Sequence, residues 1–126
     1  MSDASKDALN VLGEPLQPCC FEPKTGFYRD GFCHTGSMDA GSHTVCAIMT
    51  DEFLSFSAEQ GNDLSAANPE FGFPGLKPGD KWCLCVSRWA DAMKQHKAPP
   101  VVLSSCHIKA LETVDLESLK LHANWN

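Results

Sequence analysis

The sequence predicts an α+β fold: one compact domain with a small mixed or antiparallel sheet and three or four short helices. Two unbroken apolar runs carry the strands. Residues 44–49 and 82–86 are too short for helices and sit between turn-forming residues, so each reads as a central strand covered on both faces. Helix start and stop residues occur in three other places: Thr50 or Asp51 before Gly61, Ser87 before Pro99, and Asp115 near the end. At 126 residues the chain is long enough to close one hydrophobic core.

Taken in order, residues 1–8 are polar and read as a disordered tail, leaving 9–126 as the single domain. Gly13 and Pro15 break residues 10–16 too soon for a long helix. Residues 19–21 read as a short strand, the turn 23–26 reverses the chain, and 27–29 return antiparallel to it. Residues 32–43 are a loop of small and polar residues before the first central strand. The helix that follows places Met49, Phe53 and Phe56 on one stripe and stops at Gly61. A long loop, 62–78, is anchored by Leu64, Phe71, Phe73 and Leu76. Pro78, Gly79 and Asp80 then turn the chain into the second central strand. There Trp82, Leu84 and Val86 share one face, with Arg88 continuing it, and Cys83 and Cys85 share the other. A helix from 88 or 89 to 97 ends before Pro99 and Pro100. Residues 101–103 form a short strand, Ile108 and Leu111 mark one or two helical turns, and Asp115 caps a last helix with Leu116, Leu119 and Ala123 facing inward.

Composition narrows the partners. A net charge of −6, from 10 Lys and Arg against 16 Asp and Glu, lacks the basic footprint of a nucleic-acid or anionic-membrane binder. No apolar run approaches the roughly 20 residues of a spanning helix, and the first residues have no hydrophobic secretory core. The expectation is a cytoplasmic protein that binds a small molecule or another protein, with no nucleic acid and no membrane. Its seven cysteines are an odd number and, in that compartment, are expected to be reduced. A Cys83–Cys85 bridge would also be strained, because strand residues two apart have Cα atoms about 6.5 Å from each other.

Three chemistries compete. A binding domain with a thiol-lined core or pocket would sit where loops 32–43 and 71–80 meet the thiol strand, with Asp39, His43 and Arg88 as its polar groups. A thiol-dependent enzyme would take its nucleophile from Cys33, Cys46, Cys83 or Cys85 and its base from His43 or His107, with Cys46, Cys83 and His107 the leading catalytic candidates. A zinc-binding module would use His43, Cys46, Cys83 and Cys85 as tetrahedral ligands, although no Cys-x-x-Cys spacing occurs. The glycines of the 34–42 loop lack the Lys-Ser/Thr ending of a phosphate loop, so no nucleotide is implied.

Several runs together are more specific than any of these. Gly-Ser-His-Thr-Val-Cys-Ala at 41–47, Gly-Asn-Asp-Leu-Ser at 61–65, Gly-Phe-Pro-Gly-Leu-Lys-Pro-Gly-Asp-Lys-Trp-Cys-Leu-Cys at 72–85 and Ala-Pro-Pro-Val-Val-Leu at 98–103 before a histidine resemble the bacterial domain-of-unknown-function 2237 family. The resemblance covers about residues 10–123. It implies a small stand-alone cytoplasmic protein and transfers no activity. The residue before His107, usually threonine in that family, is Cys106 here, which weakens any shared role for that cysteine.

Overall fold

The computed structural model describes residues 8–21, 25, 26, 28, 30–39, 41–67 and 75–123. Two antiparallel strands, β1 (Val45–Ile48) and β2 (Lys81–Leu84), form the sheet, and three helices surround it: α1 (Asp51–Glu59), α2 (Val86–Lys94) and α3 (Leu116–Leu121). Two 3-10 turns, Leu103–Ser105 and Ile108–Glu112, also occur among the described residues. This is the expected α+β class. No helix among the described residues is long and apolar enough to cross a membrane.

The strand register pairs Val45 with Leu84, Cys46 with Cys83, Ala47 with Trp82 and Ile48 with Lys81. The Cys46–Cys83 pair is of the non-hydrogen-bonded kind, because its backbone groups point outward. The Cys83 N–H donates to Thr25 Oγ1 at 2.8 Å, and the Cys46 carbonyl accepts from the Val102 amide at 2.9 Å. In such pairs the Cα atoms approach to about 4.5 Å and the side chains stand together on one face. Val45, Ala47, Trp82 and Leu84 line the other face, and all of these residues are buried.

Beyond β1, residues 100–102 run as an irregular third strand. Pro99 and Pro100 have no N–H to give a ladder. The segment instead accepts from Ile48 N–H through Pro100, and Val101 bridges to both Ala47 and Ala123. The expected strand at 101–103 is therefore one bridged residue, with Leu103 already in a 3-10 turn.

Helix boundaries follow local chemistry. Thr50 Oγ1 caps α1 by accepting the Phe53 N–H at 3.1 Å. The helix ends with Gly61 N–H bonded to the Ala58 carbonyl and Asn62 N–H to the Ser57 carbonyl, Gly61 adopting φ 88°. Helix α2 closes in the same way, with His96 at φ 61° in the position glycine usually fills. Asp115 caps α3 through Ser118 N–H at 3.2 Å. Helix α2 starts earlier than expected, at Val86, with Cys85 as N-cap. Val86 thus leaves the strand face assigned to it, because its N–H bonds the Ser42 carbonyl at 3.1 Å instead of extending the ladder. Trp89, fully buried on α2, donates its Nε1–H to the Pro99 carbonyl at 3.1 Å and meets the His122 ring edge-on.

The N-terminal segment packs as irregular chain. Buried Asn10 donates Nδ2–H to the Ser104 carbonyl at 3.0 Å and accepts from the Leu12 and Glu14 amides, which holds residues 10–14 in a turn. Cys19 and Cys20 both donate to the Gly31 carbonyl, so neither belongs to a strand ladder with its neighbours. Parts of the expected 27–29 return, and Phe71 and Phe73 in the long loop, lie outside the described residues. Of that loop's other anchors, Leu76 is buried and Leu64 packs against the core.

Candidate functional site

The cysteines separate into two populations. Cys19 is bonded to Cys46 and Cys33 to Cys83, with Cα atoms 5.7 and 5.4 Å apart. All four are at most 5% exposed. Cys20, Cys85 and Cys106 are free thiols. The expectation of uniformly reduced thiols is therefore corrected. The strand register brings Cys46 and Cys83 side by side on one buried face, and the irregular segment between residues 18 and 33 delivers a partner sulfur to each. Cys46 and Cys83, the leading nucleophile candidates, hold no thiol in this state.

The free thiols differ in setting. Cys106 is fully buried, its Sγ–H directed at the Cys46 carbonyl at 3.7 Å, and burial pushes its thiol up to about 12. That is the environment of an inert thiol. Cys85 is half-buried at the N-terminus of α2, 3.2 Å from Ser87 Oγ. The start of a nine-residue helix carries partial positive charge, which favours an anion, while its Val86 amide is tied to the Ser42 carbonyl and its Arg88 and Trp89 amides to the Cys85 carbonyl.

Beside Cys85 lies the loop that precedes β1. Asp39 is buried and accepts three hydrogen bonds: from His43 Nδ1–H at 2.6 Å, from the His43 amide at 2.8 Å and from Thr35 Oγ1–H at 3.0 Å. A carboxylate only accepts, so the ring nitrogen facing Asp39, Nδ1, carries a proton. Between Asp39 and His43, Ser42 adopts φ 50°, and its carbonyl takes both the Thr44 and Val86 amides. The loop is thereby pinned to the first turn of α2. A Cβ placed on Gly41 would lie 3.0 Å from His43 Cε1 and 3.5 Å from Cys85 Sγ. The imidazole and the thiol thus flank the same hydrogen of Gly41. The side chain of His43 is 38% exposed and that of Asp39 is fully covered.

The remaining candidates fall elsewhere. Arg88 is exposed and lines a shallow cleft between α1 and α2 with Phe53, Phe56, Gln60 and Asp91. His107 is buried at the start of the second 3-10 turn, where its Nδ1 accepts the Lys109 amide at 3.1 Å. Burial, and after it the charges of His34 and Lys109, hold its pKa below the usual histidine value. The four zinc ligands expected together divide between the two places: His43 and Cys85 at Gly41, Cys46 and Cys83 in the disulfides. Among the described residues the one cluster of three or more metal-type ligands is instead Cys19, Cys33 and Cys46, whose sulfurs lie within 4.8 Å of one another.

Sequence reasoning missed Cys19 and Thr35, and it named Cys33 only as a nucleophile candidate, Gly41 only as part of the 34–42 loop and Ser87 only as a helix cap. It also missed His34, fully buried against the Phe32 ring, with Nδ1–H on Asp30 at 2.8 Å and Nε2 lacking a partner among the described residues. A signal for the Asp–His pairs was present. Asp-x-x-x-His occurs twice, at 30–34 and 39–43, and both instances form the same Nδ1–carboxylate bond.

Fold and site together define a small α+β domain with a disulfide-bonded core and a partly open Asp–His–Cys cluster at a helix N-terminus. The chain belongs to the DUF2237 family, described as an uncharacterised protein conserved in bacteria, whose profile matches residues 9–123. No curated protein matches the chain.

Proposed function

We propose that the protein is a thiol-dependent enzyme with Cys85 as nucleophile and His43 as base, Asp39 acting as the positioning residue that fixes the His43 tautomer. The observation that carries this reading is the placement of a free thiol and a carboxylate-oriented imidazole within 3.5 Å of the same Cβ position on Gly41. In the reaction, His43 Nε2 takes the Cys85 proton and the thiolate attacks a substrate acyl carbon or disulfide sulfur; the bond from that atom to its leaving group breaks, and the leaving group departs with the proton returned by His43. Negative charge then develops beside the positive end of the α2 dipole. The substrate is a small molecule or a protein segment, and the acidic surface disfavours nucleic acid and anionic membrane.

The test is site-resolved alkylation with iodoacetamide near neutral pH, read by peptide mass spectrometry. Cys85 is expected to label about tenfold or more faster than half-buried Cys20, and His43→Ala is expected to abolish the difference. Equal rates at Cys85 and Cys20, unchanged by His43→Ala, would remove the basis for the enzyme.

A further inference from the structure

We propose that Cys19, Cys33, Cys46 and Cys83 form a second, redox-gated site: when both disulfides are reduced, the four sulfurs bind one soft divalent cation, zinc foremost. The core is then closed either by two S–S bonds or by a single metal. This site is separate from the Cys85 cluster and does not depend on it.

The geometry points to it directly. Three of the sulfurs already lie within 4.8 Å of one another, and the fourth, that of Cys83, is bonded to one of the three. In a tetrahedral zinc site with Zn–S bonds of about 2.3 Å the sulfurs are about 3.8 Å apart. Opening the two bonds therefore needs only small side-chain movements to make room for an ion. The ligands also come from suitable frames. Cys46 and Cys83 are neighbours on a two-stranded ladder whose outward amides and carbonyls are tied to Thr25 and Val102. Cys19 and Cys33 come from a loop tied back on itself through the Gly31 carbonyl. Four thiolates with no carboxylate in the cluster suit a soft, borderline cation and disfavour magnesium or calcium. All four sulfurs are shielded from water, so the fourth position of a bound metal is closed, as in structural and not catalytic zinc sites.

The chemistry balances with a dithiol as reductant. Each protein disulfide takes two electrons and two protons from one dithiol, which departs as its own disulfide, leaving two cysteine thiols. The metal ion then displaces the four thiol protons into solvent. A disulfide oxidant reverses the sequence, reforming both S–S bonds and expelling the cation. The reducing poise of the cytosol favours the metal-closed state.

The experiment uses the full chain, reduced with dithiothreitol, desalted without oxygen and exposed to zinc or cobalt ions, beside the same chain left oxidised. Native mass spectrometry of the reduced chain is expected to show uptake of one zinc ion, with a thiolate-to-metal charge-transfer band of a four-sulfur site when cobalt replaces zinc. The oxidised chain is expected to show neither. Cys85→Ser is expected to keep the band and Cys33→Ser to lose it. The comparison of reduced and oxidised wild-type chains decides independently of how Cys33→Ser folds. No uptake by the reduced chain, equal uptake by the oxidised chain, or loss of the band in Cys85→Ser would each overturn the proposal.

Discussion

Asp39 holds His43 by both of its oxygens, one on the ring Nδ1–H at 2.6 Å and the other on the backbone amide at 2.8 Å. The double grip fixes the ring's tautomer and also the loop that carries it. Asp39→Asn separates these roles. The asparagine oxygen can still take the amide and the Thr35 hydroxyl, but its NH2 then faces Nδ1. The ring answers by moving its proton to Nε2, which makes that nitrogen a donor where a base is required. Asp39→Asn is expected to cost about 1–2 kcal/mol by urea denaturation while Cys85 alkylation falls to the Cys20 rate. Fast Cys85 labelling in a folded Asp39→Asn variant would show that tautomer control is irrelevant.

Gly41→Ala tests the contact itself. The glycine has no backbone conformation that excludes alanine, so the effect is steric: the new methyl meets His43 Cε1 at 3.0 Å and Cys85 Sγ at 3.5 Å. The partly exposed imidazole is the group able to yield. The melting transition is expected to change by no more than about 1 kcal/mol, with Cys85 reactivity reduced as the ring is displaced. Unchanged reactivity would mean that thiol and imidazole do not act together.

Much of this architecture was legible because its determinants are local. Thr50, Gly61 and Asp115 act within one turn of where they stand, and their caps appear where the sequence puts them. The strand limits were legible at β1 and overrun at β2. Apolar Val86 continues the period-2 pattern, and only a contact from Ser42, distant in sequence, turns the chain into a helix at Cys85. The disulfides were illegible for a different reason. Their pairing depends on the register of two strands and on the path of residues 18–33, which has no periodicity to read, and compartment reasoning pointed to free thiols. Asp39 and His43 were both singled out, yet their partner Cys85 was assigned to the face of Cys83, from which the helix cap removes it.

The disulfides make a stability prediction that follows from loop length. Cys33–Cys83 spans 50 residues and Cys19–Cys46 spans 27. Closing such loops in the unfolded chain is worth about 4 kcal/mol for the longer and slightly less for the shorter. Metal-free reduction is therefore expected to lower the urea midpoint sharply. Zinc, added to the reduced chain, is expected to restore most of the loss. Equal midpoints for oxidised and reduced chains, measured without metal, would show that the cross-links do not constrain the unfolded state.

His107 gives the fold a pH dependence whose sign is fixed by burial. Its folded pKa lies below the usual value of 6.5, burial being the largest cause, with His34 and Lys109 acting in the same direction and Glu112 against them. The unfolded chain therefore binds this proton more readily than the native one. The contribution to stability is complete above the unfolded value and is lost as pH falls through it towards the folded value. Protonation would also take the Nδ1 lone pair that accepts the Lys109 amide. The melting temperature is expected to fall between about pH 7 and about pH 5. His107→Asn, which keeps a side-chain oxygen to cap the turn and removes the titration, is expected to flatten that slope. An identical slope in the variant would assign the acid sensitivity to other groups.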